Sequence, residues 1–297
     1  MRVNPNIVPD VLAGIYATQS QEQEALLQLS TGKRVNVPSD NPLAAALMIG
    51  NQDQSSRTDQ YLQNIDSLTA QMQTADSALS SVVTALNQAI SLGVEGGTGT
   101  STTANRQEIA SNIQGIQAQI LQLANTEVGG SFLFAGTNTT STPYELDSTS
   151  ASGVVYKGNN GTNTVGIAQG LNVQTNLPGD QIFQNSNGDV FGSLQALLTA
   201  LQSGTSTDIQ NATTSLRDAY NNVTAQRVFY GNVENQLNST QTFLNQEQVN
   251  LKSQENDLIG ADQTKAATDL TQATTAHDAV LAAAAKMLPT SLLDYLK

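Results

Sequence analysis

Apolar residues recur every seven positions over long stretches of this chain. Ile65, Met72, Leu79 and Leu86 form one series, and Leu68, Ala75, Val82 and Ala89 follow three residues after each, so both sets fall on one stripe of a helix from Pro42 to about Leu92. A second series, Leu216, Val223, Tyr230, Leu237, Leu244, Leu251 and Leu258, predicts a long helix in the second half. Three residues after its members stand Ala219, Gln226, Val233, Thr240 and Glu247. Half of that seam is small or polar, which suits packing against several helices or neighbouring subunits better than a two-stranded zipper. Between the two series, Ile109, Ile113, Ile116, Ile120 and Leu123 predict a return helix from about Ala104 to Asn125, packed antiparallel on the first seam. Gly93 to Thr103, GVEGGTGTSTT, reads as the flexible turn that joins them.

The period changes to two after Gly129-Gly130. SFLFAG at Ser131 to Gly136 predicts a buried strand, and the beta-branched runs from Gly153 to Gln174 are separated by Asn-Gly and Gly turns. Leu177-Pro178-Gly179-Asp180 is read as a further turn, and helical patterning resumes at Leu194 to Leu201.

The two ends of the chain resemble each other in pattern. Ile7, Leu12, Ile15, Leu26, Leu27 and Leu29 mark an N-terminal arm that closes at Gly32, which can take the left-handed backbone of a helix end. Pro38 keeps Val37 out of helical geometry; Ser39 or Asp40 can then cap a new helix with Pro42 in its first turn. Residues 29–46 are therefore read as a hinge between two helical regions. At the other end, Gly260-Ala261-Asp262 marks a boundary, after which Leu270, Ala273, Ala276, Val280, Leu281, Ala284, Met287 and Leu288 continue a helix until Pro289 interrupts it before Leu292 and Leu293. The symmetry predicts that the two ends pair. The first arm is short of apolar side chains and broken by Gln19 and Glu22, so both arms are expected to be largely disordered in the isolated chain and to order when subunits meet. The fold class expected is mainly α: long antiparallel helical rods, or a coiled-coil bundle formed by both chain ends, with an inserted small antiparallel β domain. The expected divisions are an assembly arm (1–35), a first helical part (36–131), the β-rich insert (132–191), a second helical part (192–261) and a C-terminal assembly helix (262–297).

Composition narrows the function classes. Of 297 residues only 12% are charged and 4% aromatic, with no Trp, so narrow seams of Leu, Ile, Val and Ala are the better match than a deep globular core. A net charge of -13 with 12 scattered basic residues argues against nucleic acid or an anionic membrane surface as partner. Cysteine is absent, which excludes disulfides and thiolate metal sites. No apolar run follows Arg2, so no cleaved secretory signal is expected, and no span of transmembrane length is read.

Candidate chemistry is sparse. The glycines from Gly93 to Gly99 lack the Gly-Lys-Ser/Thr ending of a phosphate loop and follow a helix, so a plain turn is preferred. His277 is the single histidine and is read as structural or surface. Asp257 and Asp262 straddle a helix break without a cleft. Asn185 to Asp189, NSNGD, lacks the spacing of a calcium loop and is read as a turn. No catalytic residue, cofactor or metal site is proposed.

Three stretches carry a resemblance. LSTGKRVNVPSDNPLAAA at Leu29 to Ala46, FLFAGTNTTSTPY at Phe132 to Tyr144 and SLLDYL at Ser291 to Leu296 are similar to the flagellin family, and more closely to its hook-filament junction proteins. Asn41 stands where that family often has a second acid, and Lys297 extends past its usual ending. The resemblance implies a non-enzymatic structural subunit of the bacterial flagellum, extracellular and exported unfolded without a cleaved signal. It implies a ring of such subunits joining hook-associated protein 1 to the first flagellin layer, and an export chaperone on the C-terminal helix. It also implies that the assembly interface lies on the two ends, at Ile7, Leu12, Ile15, Leu26, Leu29, Leu270, Val280, Leu281, Met287, Leu288, Leu292 and Leu293. Alternative readings are a flagellin-like filament subunit, a secreted coiled-coil adhesin or phage tail component, and an enzyme carried on the β insert.

Overall fold

The computed structural model describes residues 7–295, and side-chain surroundings for residues 9–286. Its helices are α1 (Ile7–Thr31), α2 (Pro42–Gly96), α3 (Thr103–Ala124), α4 (Gly179–Phe183), α5 (Val190–Ser203), α6 (Ser206–Ile259) and α7 (Gln263–Tyr295). Eight short strands lie between α3 and α5: β1 (Glu127–Val128), β2 (Ser131–Phe132), β3 (Tyr144–Leu146), β4 (Val154–Tyr156), β5 (Thr164–Ala168), β6 (Leu171–Gln174), β7 (Gln184–Asn185) and β8 (Gly188–Asp189). The chain divides into two units, residues 1–58 with 246–297, and residues 59–245.

In the larger unit the heptad series does what its spacing predicts. Ile65, Met72, Leu79, Leu86 and their companions Leu68, Ala75, Val82 and Ala89 are all buried, as are Leu216, Val223, Tyr230, Leu237 and Leu244. They share one core with Ile109, Ile113, Ile116 and Ile120 of α3 and Leu194, Leu197, Leu198 and Leu201 of α5. A fork of two 2.9 Å hydrogen bonds from Arg227 Nε and Nη2 to the two carboxylate oxygens of Asp76 ties α6 to α2 beside this core. The α2 helix runs past the expected break to Gly96. Its last glycines serve close packing: a Cβ on Gly93 would stand 2.5 Å from Thr213 Oγ1, and one on Gly96 2.6 Å from Leu201 Cδ2. By length and composition α2 is also the one described helix that could cross a membrane, contrary to the sequence expectation; 39% of its apolar window is buried inside the protein.

The inserted region is a set of four two-stranded antiparallel pairs, β1-β2, β3-β4, β5-β6 and β7-β8. The expected strand at Ser131 to Gly136 is shorter: only Ser131 and Phe132 pair, and Leu133, Phe134 and Ala135 are buried in turns. Burial there comes from an aromatic cluster. The Phe134 and Tyr144 rings each meet the Phe183 ring edge-on at 5.5 Å, and Phe191 lies 5.3 Å from Tyr144. Burial pushes the Tyr144 hydroxyl well above the usual phenol range, with Tyr156, Asp180 and Asp189 adding to it. Gly179 and Asp180 open the short α4 instead of forming only a turn. NSNGD is the β7-β8 hairpin, and Asp189 caps α5 by accepting a hydrogen bond from Gly192 N at 2.8 Å.

In the smaller unit, α1 closes at Gly32, whose φ of +68° only glycine adopts without strain. The restart differs from expectation. Neither Ser39 nor Asp40 caps α2: Asn41 does, its Oδ1 accepting from Ala44 N at 3.1 Å, and Pro42 takes the first helical position. Asp40 looks backward, its Oδ2 accepting from Asn36 N and Val37 N at 3.0 Å each, and its own N–H closes a turn on Val37 O across Pro38 and Ser39. The asparagine that stands in place of a second acid is thus the cap. Helix α7 continues through Pro289, where the sequence predicted an interruption.

Asn41→Ala should destabilise the protein by about 1 kcal/mol and speed hydrogen exchange at Ala44 and Ala45. Asp40→Ala should leave those two amides unchanged. Gly93→Ala should lower the melting temperature despite the better helix propensity of alanine, because the added methyl meets Thr213 Oγ1. Adding Thr213→Ala should restore it, as a thermal melt of the double variant would show.

Candidate assembly interface

The two chain ends meet. Helices α1 and α7 pack against one another. A Cβ on Gly14 would sit 3.7 Å from Val280 Cγ1, and Thr18 Oγ1 lies 3.1 Å from His277 Nδ1, so His277 is a tie between the helices. The helices cover each other in the single chain.

Their shared face is nonetheless thin. The fully buried residues are Ala25, Ala266, Ala273 and Ala284. Of the residues expected at the interface, Ile15, Leu29, Leu270 and Val280 are half-buried. Leu12, Leu26 and Leu281 stay 47%, 54% and 43% exposed. Ile7, Met287, Leu288, Leu292 and Leu293 lie outside the residues whose side chains are described. The reading of large apolar positions missed Tyr16, 68% exposed, although its place on a helix otherwise rich in small and polar residues was a visible signal. Near the α1 end of the pair the face opens into a cavity of about 440 Å³ lined by Gln21, Glu24, Gln28, Asp269 and Gln272 among alanines.

Where the two helices end, the chain breaks are paired with each other. Lys33 and Gly260 form an antiparallel bridge. Arg34 N donates to Ile259 O at 2.6 Å, Ala261 N to Gly32 O at 2.9 Å, and Arg34 Nη2 to Leu258 O at 3.0 Å. Val35, Ala44 and Ile259 form a small core of their own, with Met48 and Leu258 packed on it. Asp262 Oδ1 accepts from Thr264 N and Lys265 N and so starts α7. The sequence marked both breaks; that they are one paired element was not visible, because backbone hydrogen bonds leave no residue-type signature. Beside them a groove of about 480 Å³ is walled by Val37, Pro38, Ala45, Met48 and Ile49.

No group of three or more His, Asp or Glu that could hold a metal is present among the described residues. Asp147 and Asp208, whose hydrogen bonds from Thr149 and Thr205 hold their carboxyls below the usual carboxylate range, are exposed and belong to local turns.

Comparison with known proteins gives the arrangement a family. Residues 7–139 match the bacterial flagellin N-terminal helical region and residues 213–296 its C-terminal helical region. Flagellar hook-associated protein 3 of Salmonella typhimurium is 34% identical over 135 residues, 45% of this chain, and the match spans only 43% of that protein. Flagellar hook-associated protein 3 of Escherichia coli is 27% identical over 279 residues, covering 84% of this chain and 85% of its own length. In fold, the chain is similar to the structure of a flagellar hook-associated protein from Vibrio parahaemolyticus, with a TM-score of 0.68 at 20% identity over 74% of this chain and 100% of that one. With both terminal regions of flagellin matched over well more than half its length, this chain belongs to the flagellin family of structural flagellar proteins.

Proposed function

We propose that the protein is the subunit of the ring that joins the flagellar hook, through hook-associated protein 1, to the flagellin filament. It is exported unfolded through the flagellar apparatus without signal cleavage, and an export chaperone holds its C-terminal helix, residues 261–296. Subunits then assemble outside the cell through residues 1–35 and 262–297, with the strand-rich insert, residues 132–191, facing outward from the helical parts.

The observation that carries this reading is the α1–α7 pair. It is built from the two chain ends, and it leaves Leu12, Tyr16, Leu26, Leu27 and Leu281 uncovered. Exposed apolar side chains repeated along one helical pair are suited to burial against other copies. The names of the curated relatives favour the junction over the filament itself.

Deleting the gene tests the proposal. Cells should build hooks and shed filaments into the medium. Attached filaments of normal length would overturn the junction role, and loss of the filament's own main subunit would point to a flagellin-like filament protein.

A further inference from the structure

The face that α1 and α7 share carries few register-specific contacts, the pair of Thr18 Oγ1 and His277 Nδ1 at 3.1 Å among them. That face buries alanines, and α7 repeats them: Ala266 and Ala273 are one heptad apart, and Ala276, Ala279 and Ala282 to Ala285 follow. Sliding α7 by a heptad brings Ala273 to the place of Ala266, although Val280 then takes the place of Ala273. Beside Ala25, Ala273 and Ala276 the face opens into the polar cavity of about 440 Å³, and small side chains interlock weakly.

The paired breaks have the opposite property. A slip there would break the hydrogen bonds from Arg34 N to Ile259 O and from Ala261 N to Gly32 O, and would pull apart the small core that holds Val35 and Ile259, which are 8% and 5% exposed. The segment around the bridge is pinned on both sides. Asn36 Nδ2 donates to Lys33 O at 2.8 Å and Asp40 holds Asn36 and Val37; Gly260 N donates to Asn256 O at 2.7 Å.

We propose that the bridge between Lys33 and Gly260 is a clasp that sets the register of the terminal helices: α1 and α7 are aligned by counting outward from it, not by matching their faces. The stretch expected to be a hinge is then a fixed reference point. This rests on the geometry of the single chain and stands whether or not the protein acts at the hook-filament junction.

The test uses the absence of cysteine from the chain. Gly14→Cys with Val280→Cys should form a disulfide on mild oxidation, since the built Cβ of residue 14 already touches Val280. Residues 266–272 are then duplicated in place, which lengthens α7 by one heptad and keeps the same face toward α1. If the clasp sets the register, the cross-link moves: Gly14→Cys now pairs with Ala273→Cys and loses Val280→Cys. Retention of the cross-link at Val280→Cys would mean that the helix faces hold the register and the clasp opens. Equal cross-linking at both positions, or at neither, would also overturn the proposal.

Discussion

With few large aromatic side chains, this chain has to bury its apolar surface along narrow lines. Everything else in the structure follows from that shortage. Tryptophan is absent and aromatics are 4% of the residues, so the core of the larger unit is a stack of Ile, Leu, Met, Val and Ala set at heptad spacing on α2 and α6 and closed by α3 and α5. Such seams need helices that approach closely. Gly93 and Gly96, where a methyl group would collide with Thr213 and Leu201, supply that approach at the end of α2.

The same constraint shapes the chain ends differently. There the apolar residues are too few and too scattered to make a seam, and α1 and α7 meet over alanines and a polar cavity. Two devices compensate. One is the backbone pairing around Lys33 and Gly260, which needs no apolar side chain to hold it and adds a small core of Val35, Ala44 and Ile259. The other is the set of leucines left facing outward, which a second copy of the chain can cover. The pair of helices is thus only partly satisfied alone and is held at one end.

What the sequence made legible was whatever periodicity writes down. The heptad positions from Ile65 to Ala89 and from Leu216 to Leu244 are the buried positions, with Gly32 ending α1 and Pro42 opening α2. What it hid falls into two kinds. Competition between neighbouring polar residues hid the cap: Ser39, Asp40 and Asn41 are all good caps, and only the backbone path decides that Asn41 faces Ala44 while Asp40 turns back to Asn36 and Val37. Packing overrode local propensity at the end of α2, which kept its helix through Gly93 to Gly96. The Phe134 stretch is buried without being a strand, because its surroundings are aromatic rings and not a sheet.

The most direct measurement is a reconstruction of the hook-filament region with this chain labelled. The account predicts that the label forms a single layer between hook and filament, with paired α1 and α7 innermost, Lys33 against Gly260, and the exposed leucines covered by neighbouring copies. Label spread along the filament, or terminal helices parted from each other in the assembled layer, would contradict it.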